Sequence, residues 1–273
     1  MTIAVGIDIG GTGIKGGVVD TDTGQLLSER VKLATPPGGE PADIVRVVSE
    51  IIATLAVDPG VPVGVCFPAV VIHGTTMSAA NVSKAWIGLP AETMFTKALR
   101  RDIHFTNDAD AAGYAEVRYG AAKDVPGLVI LTTLGTGIGS AIIYDGVLVP
   151  NSELGHLEVE GKDAERRASY AAKERGRLSF ERWAKRLQTY YAHLELLFSP
   201  DLIIVGGGVS KQHAEFLPLL DLRAPIVPAT MRNNAGILGA AALAATSLTP
   251  PAGTVPDAAP GASTAPARIR TQP

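Results

Sequence analysis

Two carboxylates and an amide, Asp108, Asp110 and Asn107, stand where an apolar run gives way to an alanine-rich segment with charges at helical spacing. This change of period predicts a strand that leads into a helix. Asparagine is a good helix N-cap, and acidic residues in the first turn suit the positive end of the helix dipole. The same groups at a strand-to-helix junction suit a polyhydroxy ligand, with one carboxylate accepting a hydroxyl proton. From these residues alone, both interpretations stay open.

Two glycine-rich turns, each between apolar runs of strand length, share the sequence Gly-Thr-Gly-Ile. Glycines there let backbone N–H groups point into one concavity that suits phosphate oxygens. The repeat predicts two related half-molecules that hold one polyanionic ligand between them. Because a strand follows each turn, neither is a P-loop or a dinucleotide fingerprint. The candidate phosphate-binding residues are Asp8, Gly10, Gly11, Thr12 and Lys15 around the first turn and Gly135, Thr136 and Gly137 in the second.

Three further places carry groups that suit a nucleotide or a sugar. Gly207 and Gly208 follow an apolar run, and glycines there would let an adenine ring or a ribose approach closely. Glu153 and His156 lie three residues apart around a glycine and can converge on sugar hydroxyls. As a zinc site this pair is weak, because no second histidine or cysteine lies nearby. Asn81 precedes a tryptophan that could line a sugar pocket or simply pack in the core.

The segment 161–190 is basic, with nine cations against four acidic residues, a net charge of +5 in a chain whose formal charge is −3. Such a run is often the solvated face of a helix. It also suits a groove for a long polyanion, in which each contact adds a charge-assisted hydrogen bond. No nucleic-acid recognition motif accompanies the cations, so nucleic acid is not an expected partner.

Apolar periodicity predicts the elements that position these groups. Runs of strand length precede each glycine turn, and a third strand is expected from Leu26 to Leu33. Apolar residues at helical spacing predict helices over 41–55, 90–100 and 187–198. A helix of small residues near 233–245 is expected to pack tightly across a sheet.

Composition limits the class of protein. The 273 residues are 46% apolar, which is ample for a buried core. The one cysteine, Cys66, excludes an intrachain disulfide and a cysteine-built zinc site. The N-terminus lacks a signal-peptide pattern and no run approaches eighteen apolar residues, so we expect a cytoplasmic protein with no membrane partner. The residues from Thr246 onward are rich in Pro and Ala and are expected to be disordered.

Taken in order, the segments 8–12, 107–110, 135–139 and 153–156 resemble the motifs of the ROK family of sugar kinases, within the actin and hexokinase superfamily. The resemblance covers about residues 3 to 245. It implies an α/β fold of two ribonuclease-H-like lobes with a central cleft. The implied division is a small N-terminal lobe of residues 1–106 plus 235–247, a large C-terminal lobe of 107–234, and a disordered tail of 248–273.

The resemblance also implies roles for individual residues. Asp108 would be the general base that accepts the proton of a sugar 6-hydroxyl. Asp8 would hold Mg²⁺ through water molecules. The end of the family's zinc segment is preserved around Glu165, which makes this residue a further sugar ligand, but the cysteines of that segment are missing. The implied sugar ligands are Asn81, Asn107, Asp108, Glu153, His156 and Glu165.

A zinc-free loop followed by a basic stretch is similar to the polyphosphate-dependent glucokinases and glucomannokinases of this family. This similarity implies glucose or mannose as acceptor, inorganic polyphosphate and/or ATP as donor, Mg²⁺ and no zinc. It favours a polyphosphate path over a simple solvated helix face. The cations assigned to that path are Lys162, Arg166, Arg167 and Lys173.

Several alternatives stay open at this stage. The family includes sugar-sensing regulators, although these carry a DNA-binding region before the first phosphate motif. A nucleotide switch that hydrolyses ATP is a second alternative, and an ATP-only kinase for another hexose is a third. The sequence also leaves the choice between monomer and homodimer open.

Overall fold

Two mixed β-sheets, each begun by a hairpin with a glycine turn, organise the chain. The computed structural model describes residues 1–79 and 82–248. In chain order the strands are β1 (Ile3–Ile9), β2 (Gly13–Asp20), β3 (Gln25–Leu26), β4 (Val31–Ala34), β5 (Val63–Phe67), β6 (Val71–Ile72), β7 (Thr75–Thr76), β8 (Ile103–Asn107), β9 (Leu128–Leu134), β10 (Ile138–Tyr144), β11 (Val147–Val149), β12 (Glu158–Val159), β13 (Lys162–Asp163), β14 (Leu202–Gly206) and β15 (Ile226–Pro228).

The α-helices lie between these strands or after them. In chain order they are α1 (Pro41–Leu55), α2 (Ala91–Leu99), α3 (Asp108–Tyr119), α4 (Glu165–Ala168), α5 (Tyr170–Arg175), α6 (Phe180–Phe198) and α7 (Ala235–Leu248). Among the described residues, no helix is both long enough and apolar enough to span a bilayer.

The two sheets have the same topology. The first has the order β3-β2-β1-β5-β8, with β4 also paired to β2, and the second has the order β11-β10-β9-β14-β15. In each sheet the two hairpin strands are antiparallel, and the next two strands run parallel to the first strand of the hairpin. The repeated topology confirms the predicted internal repeat. Every residue of β5 and β14 is buried, as expected for parallel strands covered on both faces.

Helices and sheets alternate as layers. Helix α1 places Ile44 and Ile51 in one core with the first sheet, and α2 contributes Phe95 to it. Helix α6 places Trp183 and Leu187 in a separate core with the second sheet. Helices α3 and α7 pack against each other and against strands of both sheets, so they form the layer between the sheets.

Helix α7 approaches its neighbours more closely than any side chain would allow. A Cβ atom at Gly239 would lie 1.7 Å from the carbonyl oxygen of Ala111 in α3. A Cβ atom at Gly6 in β1 would lie 1.9 Å from the carbonyl oxygen of Ile237 in α7. The expectation of a small-residue helix that packs tightly across a sheet is therefore confirmed.

We expect Gly239→Ala to destabilise the protein by about 3 kcal/mol, because the new methyl group meets backbone atoms that no rotamer change can move away. A solvent-facing helix position would gain stability from the same change, by roughly 1 kcal/mol. Chemical denaturation measures the effect. Gly60→Ala is the control, since nothing lies within 4 Å of a Cβ atom there. Equal stability of the two variants would contradict the close packing.

Two predicted elements differ from the structure. The single strand expected from Leu26 to Leu33 is divided into β3 and β4, because the Ser28 hydroxyl accepts the Val18 N–H (3.0 Å) where the chain leaves the ladder. The helix expected from residue 187 already begins at Phe180, after the N-cap Ser179. Disorder was expected from Thr246 onward, which is wrong for Thr246, Ser247 and Leu248, because these residues form the end of α7. The rest of the predicted disordered tail lies outside the described residues, and the division into two lobes stays a prediction.

Candidate active site

The start of α3 brings the candidate catalytic carboxylate to the end of β8. The Asn107 Oδ1 atom accepts the N–H groups of Ala109 (2.8 Å) and Asp110 (3.0 Å), and its Nδ2 atom donates to the carbonyl oxygen of Ala69 (3.0 Å). The N-cap interpretation is therefore confirmed. Because the cap fixes the first helical turn, the backbone of Asp108 is held at the carboxyl end of a parallel strand.

Two cavities meet at Asp108. The large cavity has a volume of about 650 Å³, and both predicted glycine turns line it. The small cavity, of about 200 Å³, lies beside the third glycine turn. Both cavities are lined by Asp108, Thr133 and Gly207. One carboxylate can therefore contact ligands in both.

Most of the predicted site residues line one of these cavities. Those in the large cavity are Gly10, Gly11, Asn107, Asp108, Gly135, Thr136, Gly137, Glu153, His156, Glu165 and Gly207. Those in the small cavity are Asp8, Lys15, Asp108, Gly207 and Gly208. Thr12 is exposed at the tip of the first turn and lines neither cavity. Asn81 lies outside the described residues.

Asp8 and Lys15 face each other across the first hairpin. The Lys15 Nζ atom lies 2.9 Å from the Asp8 Oδ2 atom, and both side chains are only partly exposed. A carboxylate oxygen is the kind of ligand that Mg²⁺ uses together with water and substrate phosphates. Asp8 therefore fits the predicted Mg²⁺ role, with its ion pair to Lys15 as a competing interaction.

The pKa of Asp108 is raised to about 7. Burial is the largest cause, followed by the negative charge of Asp8 and, to a smaller extent, that of Glu153. The Ala109 N–H group opposes the shift by donating to the carboxylate. A carboxylate with a pKa near neutral pH is matched to the work of a general base.

Asp110 resembles Asp108 in acidity but not in position. Its side chain is 1% exposed and burial raises its pKa to about 7. The Oδ2 atom accepts the Asn151 N–H (2.7 Å), and Oδ1 has no hydrogen-bond partner among the described residues. Because Asp110 lines neither the large nor the small cavity, it serves the packing of α3 against the loop at Asn151.

A connected group of polar side chains lies beside the second glycine turn, and three of its members, Glu153, His156 and Glu165, line the large cavity. The His156 Nδ1 atom lies 3.0 Å from Asp163 Oδ2, and its Nε2 atom lies 3.9 Å from Glu153 Oε2. The Asp163 carboxylate raises the pKa of His156, and burial raises the pKa of Glu153. The Glu165 Oε2 atom accepts the Ile138 N–H (3.2 Å). Hydrogen-bonding side chains are thus grouped as recognition of sugar hydroxyls requires.

Three of the four cations assigned to a polyanion path line one further cavity, of about 850 Å³. We call it the basic cavity, and its lining residues are Lys162, Arg166, Arg167, Arg186, Glu160, Gly161 and Asp163. The side chain of Arg167 pairs with Glu160, so part of its charge is already balanced.

Lys173 is not part of this surface, which corrects the sequence-based assignment. Its side chain is buried, with Nζ 4.4 Å from the centre of the Phe180 ring and 5.4 Å from that of Tyr170. The same atom lies 3.0 Å from Glu174 Oε1. Cation–π contacts and an ion pair thus hold Lys173 inside the protein, where it stabilises the fold and is withdrawn from a solvent path.

Sequence reasoning missed several polar residues at these cavities. Lys211 and Arg232 line the small cavity and are exposed. Arg186 is one of the nine cations of the segment 161–190 and lines the basic cavity, but it was not among the four residues assigned to the path. Lys211 follows the third glycine turn by three residues, which was the available signal for it. Arg232 comes from a distant part of the chain, and only the fold brings it to the small cavity.

Comparison with known proteins assigns the family. The ROK family profile matches residues 4–169. A polyphosphate glucokinase of Mycobacterium tuberculosis is 48% identical over 237 residues, covering 86% of this chain and 89% of that protein. The crystal structure of an inorganic polyphosphate/ATP-glucomannokinase from Arthrobacter sp. strain KM is 51% identical with a TM-score of 0.86, covering 91% of this chain and 100% of that one.

A second structure adds a view of bound ligands in a relative. The ROK family glucokinase from Streptomyces griseus, solved in complex with glucose and AMPPNP, is 27% identical with a TM-score of 0.75 over 90% of this chain and 100% of that chain. These structures share the actin- and hexokinase-like α/β fold with the present chain. With the matched profile and these relatives, the chain belongs to the ROK family.

Proposed function

We propose that the protein transfers the terminal phosphoryl group of inorganic polyphosphate or ATP to the 6-hydroxyl of glucose, and also of mannose, with Asp108 as general base. The observation that carries the proposal is the position of this carboxylate. Its pKa is about 7, and it lines both the large cavity, with its hydrogen-bonding side chains, and the small cavity, with Lys15, Lys211 and Arg232. Proteins similar to this chain are named for these donors and sugars.

The acceptor would bind in the large cavity. Glu153, His156 and Glu165 supply carboxylate and imidazole groups to its wall, and Asn107 contributes an amide whose second N–H is available to a ligand. Sugar hydroxyls both donate and accept hydrogen bonds, so they match this mixture of groups. Binding here would place the hydroxymethyl group toward Asp108, at the boundary with the small cavity.

The donor would lie along the glycine turns. The N–H groups of Gly10 and Gly135 donate inside the turns, to the carbonyl oxygens of Gly13 (3.1 Å) and Gly137 (3.0 Å). The phosphate oxygens would therefore meet the N–H groups of Gly11, Thr136 and Gly137, which also line the large cavity. Lys15 adds a positive charge beside Asp8, and Gly207 and Gly208 leave room for the nucleoside of ATP. Bound Mg²⁺, held by Asp8 through water, would neutralise part of the phosphate charge.

The proton step completes the transfer. As the sugar oxygen forms its bond to phosphorus, the bond from phosphorus to the leaving phosphate oxygen breaks, and the hydroxyl proton passes to Asp108. In such a loose transition state, alignment and charge neutralisation supply most of the acceleration. A base is needed because the product ester oxygen carries no proton.

The pH dependence of the reaction should follow this carboxylate. Below its pKa of about 7, Asp108 is protonated and cannot accept the hydroxyl proton, so kcat/KM for glucose should fall as pH decreases through about 7. The same acid limb should occur with polyphosphate and with ATP, since the base is common to both. Profiles of kcat/KM for glucose from pH 5 to 9, measured with each donor, check this prediction. A fall at low pH with only one donor would indicate ionisation of that donor instead.

A single coupled assay tests the proposed function. Purified protein is given glucose or mannose with polyphosphate or ATP, and formation of hexose 6-phosphate is followed beside release of free phosphate. We expect sugar phosphate from both donors and little phosphate release without sugar. ATP hydrolysis that proceeds at the same rate without sugar would instead support a nucleotide switch, and the proposal would be wrong.

A further inference from the structure

We propose that Asp163 is a positioning residue for sugar binding: one carboxylate orients the His156 ring and also fixes the start of the helix that carries Glu165. This inference rests on the proposed function, in which both of these side chains contact the sugar. Asp163 itself lies at the end of β13 and lines the basic cavity. It does not line the large cavity, in which the sugar would bind.

Both oxygens of the Asp163 carboxylate are in use. Oδ2 lies 3.0 Å from the Nδ1 atom of His156, and Oδ1 accepts the N–H group of Glu165 (3.1 Å). The three side chains are so close that one potential ligand atom from each lies within 4.8 Å of the others. The short β12–β13 hairpin holds Asp163 by pairing it with Glu158. The carboxylate is thus placed by a hairpin and reaches both of the proposed sugar-binding residues at once.

The hydrogen bond to His156 determines the tautomer of the ring. A carboxylate only accepts hydrogen bonds, so the Nδ1 atom must carry the hydrogen. In the neutral ring, Nε2 is then an acceptor, and it lies 3.9 Å from Glu153 Oε2 on the side of the large cavity. A sugar hydroxyl can donate to Nε2 in this tautomer. In the other tautomer Nε2 would carry a hydrogen, and the same hydroxyl would have to accept.

The hydrogen bond from the Glu165 N–H to Asp163 determines how the Glu165 side chain lies against the second glycine turn. The Glu165 Oε2 atom accepts the Ile138 N–H (3.2 Å) and would lie 2.3 Å from a Cβ atom at position 137, so a side chain there would displace this carboxylate. Because Asp163 accepts the backbone N–H of Glu165, it anchors the first turn of α4 in this position. Asp163 therefore links the sugar-binding group to the phosphate-binding turn.

The variant Asp163→Asn separates these roles from simple packing, because its side chain has the same shape. The backbone N–H of Glu165 needs an acceptor, so the amide oxygen should face it, and the amide NH₂ should then face His156. The Nδ1 atom must accept this bond, which moves the ring hydrogen to Nε2. The fold is kept while the hydrogen-bond polarity of the ring toward the sugar is reversed.

The experiment compares the full-length protein with Asp163→Asn and with the control Asp43→Asn, whose carboxylate is in an exposed ion pair with Arg46. Nitrogen-15 NMR of the imidazole groups reports the tautomer of His156 above its titration range. Glu153 and Glu165 also face this ring, so the spectra are recorded at several pH values. Steady-state kinetics give KM for glucose, KM for the donor, and kcat.

We expect the hydrogen on Nδ1 in the wild-type protein and in Asp43→Asn, and on Nε2 in Asp163→Asn. The KM for glucose should rise about tenfold in Asp163→Asn, as for the loss of one hydrogen bond, while the KM for polyphosphate changes much less. Asp43→Asn should match the wild type in all three kinetic constants.

Two results would overturn the inference. One is a wild-type ring with its hydrogen on Nε2, a measurement that needs no variant to fold. The other is an Asp163→Asn protein with unchanged tautomer and the same KM for glucose as the control. A wild-type protein that fails to phosphorylate glucose would instead count against the proposed function, while the NMR comparison would still test the role of Asp163.

Discussion

Asp108→Asn should lower kcat for glucose phosphorylation by about 10²- to 10⁴-fold, the contribution usual for a general base, with little change in glucose affinity. The amide has nearly the same size as the carboxylate and can still accept the Ala109 N–H, so the first turn of α3 should keep its shape. It cannot take up the hydroxyl proton. Turnover in the coupled assay and glucose binding by titration calorimetry measure the two effects separately.

Asp110→Asn is the matched control for this experiment. It makes the same substitution two residues further along the same helix, on a carboxylate whose pKa is also about 7, and it keeps an oxygen to accept the Asn151 N–H. Because Asp110 lines neither the large nor the small cavity, its variant should retain kcat within a few-fold. Equal losses in both variants, or normal turnover by Asp108→Asn, would show that Asp108 is not the base.

The features that sequence predicted well are those decided by neighbours in the chain. The cap at Asn107 involves only residues two and three positions further along the chain, and the helix Pro41–Leu55 was predicted with its observed bounds because its apolar stripe is local. The glycine turns are equally local, and their repetition was enough to predict that they face one cavity. These features could be predicted because short-range geometry leaves few alternatives.

The features that sequence did not predict depend on how the elements pack against one another. Lys173 was counted among solvent-facing cations, but the aromatic rings that cover it are supplied by its own neighbour Tyr170 and by Phe180 of the next helix. Arg232 lies just before α7, and it reaches the small cavity because α7 packs against the first sheet, far from it in the sequence. Charge at a position can be read from sequence, whereas its exposure depends on which element packs over it.

The basic cavity leads to the second large expected effect, which concerns the choice of donor. Replacing Lys162, Arg166 and Arg167 together with glutamine should lower kcat/KM for long-chain polyphosphate by about 10²-fold, because each lost charge-assisted hydrogen bond contributes on the order of 1 kcal/mol. The value for ATP should change by less than about threefold, since among the described residues the basic cavity shares no lining residue with the small cavity proposed for the nucleoside.

The same segment offers a control with an equal change of charge. Arg177, Arg182 and Lys185 are exposed and do not line the basic cavity, so their replacement with glutamine should leave both donors nearly unaffected. Chain length adds a further distinction: a polyphosphate too short to extend from the glycine turns to the basic cavity should be as insensitive as ATP. Equal losses with ATP and polyphosphate, or equal losses in the two triple variants, would mean that the cations act through general charge, and the polyphosphate path would have to run elsewhere on the surface.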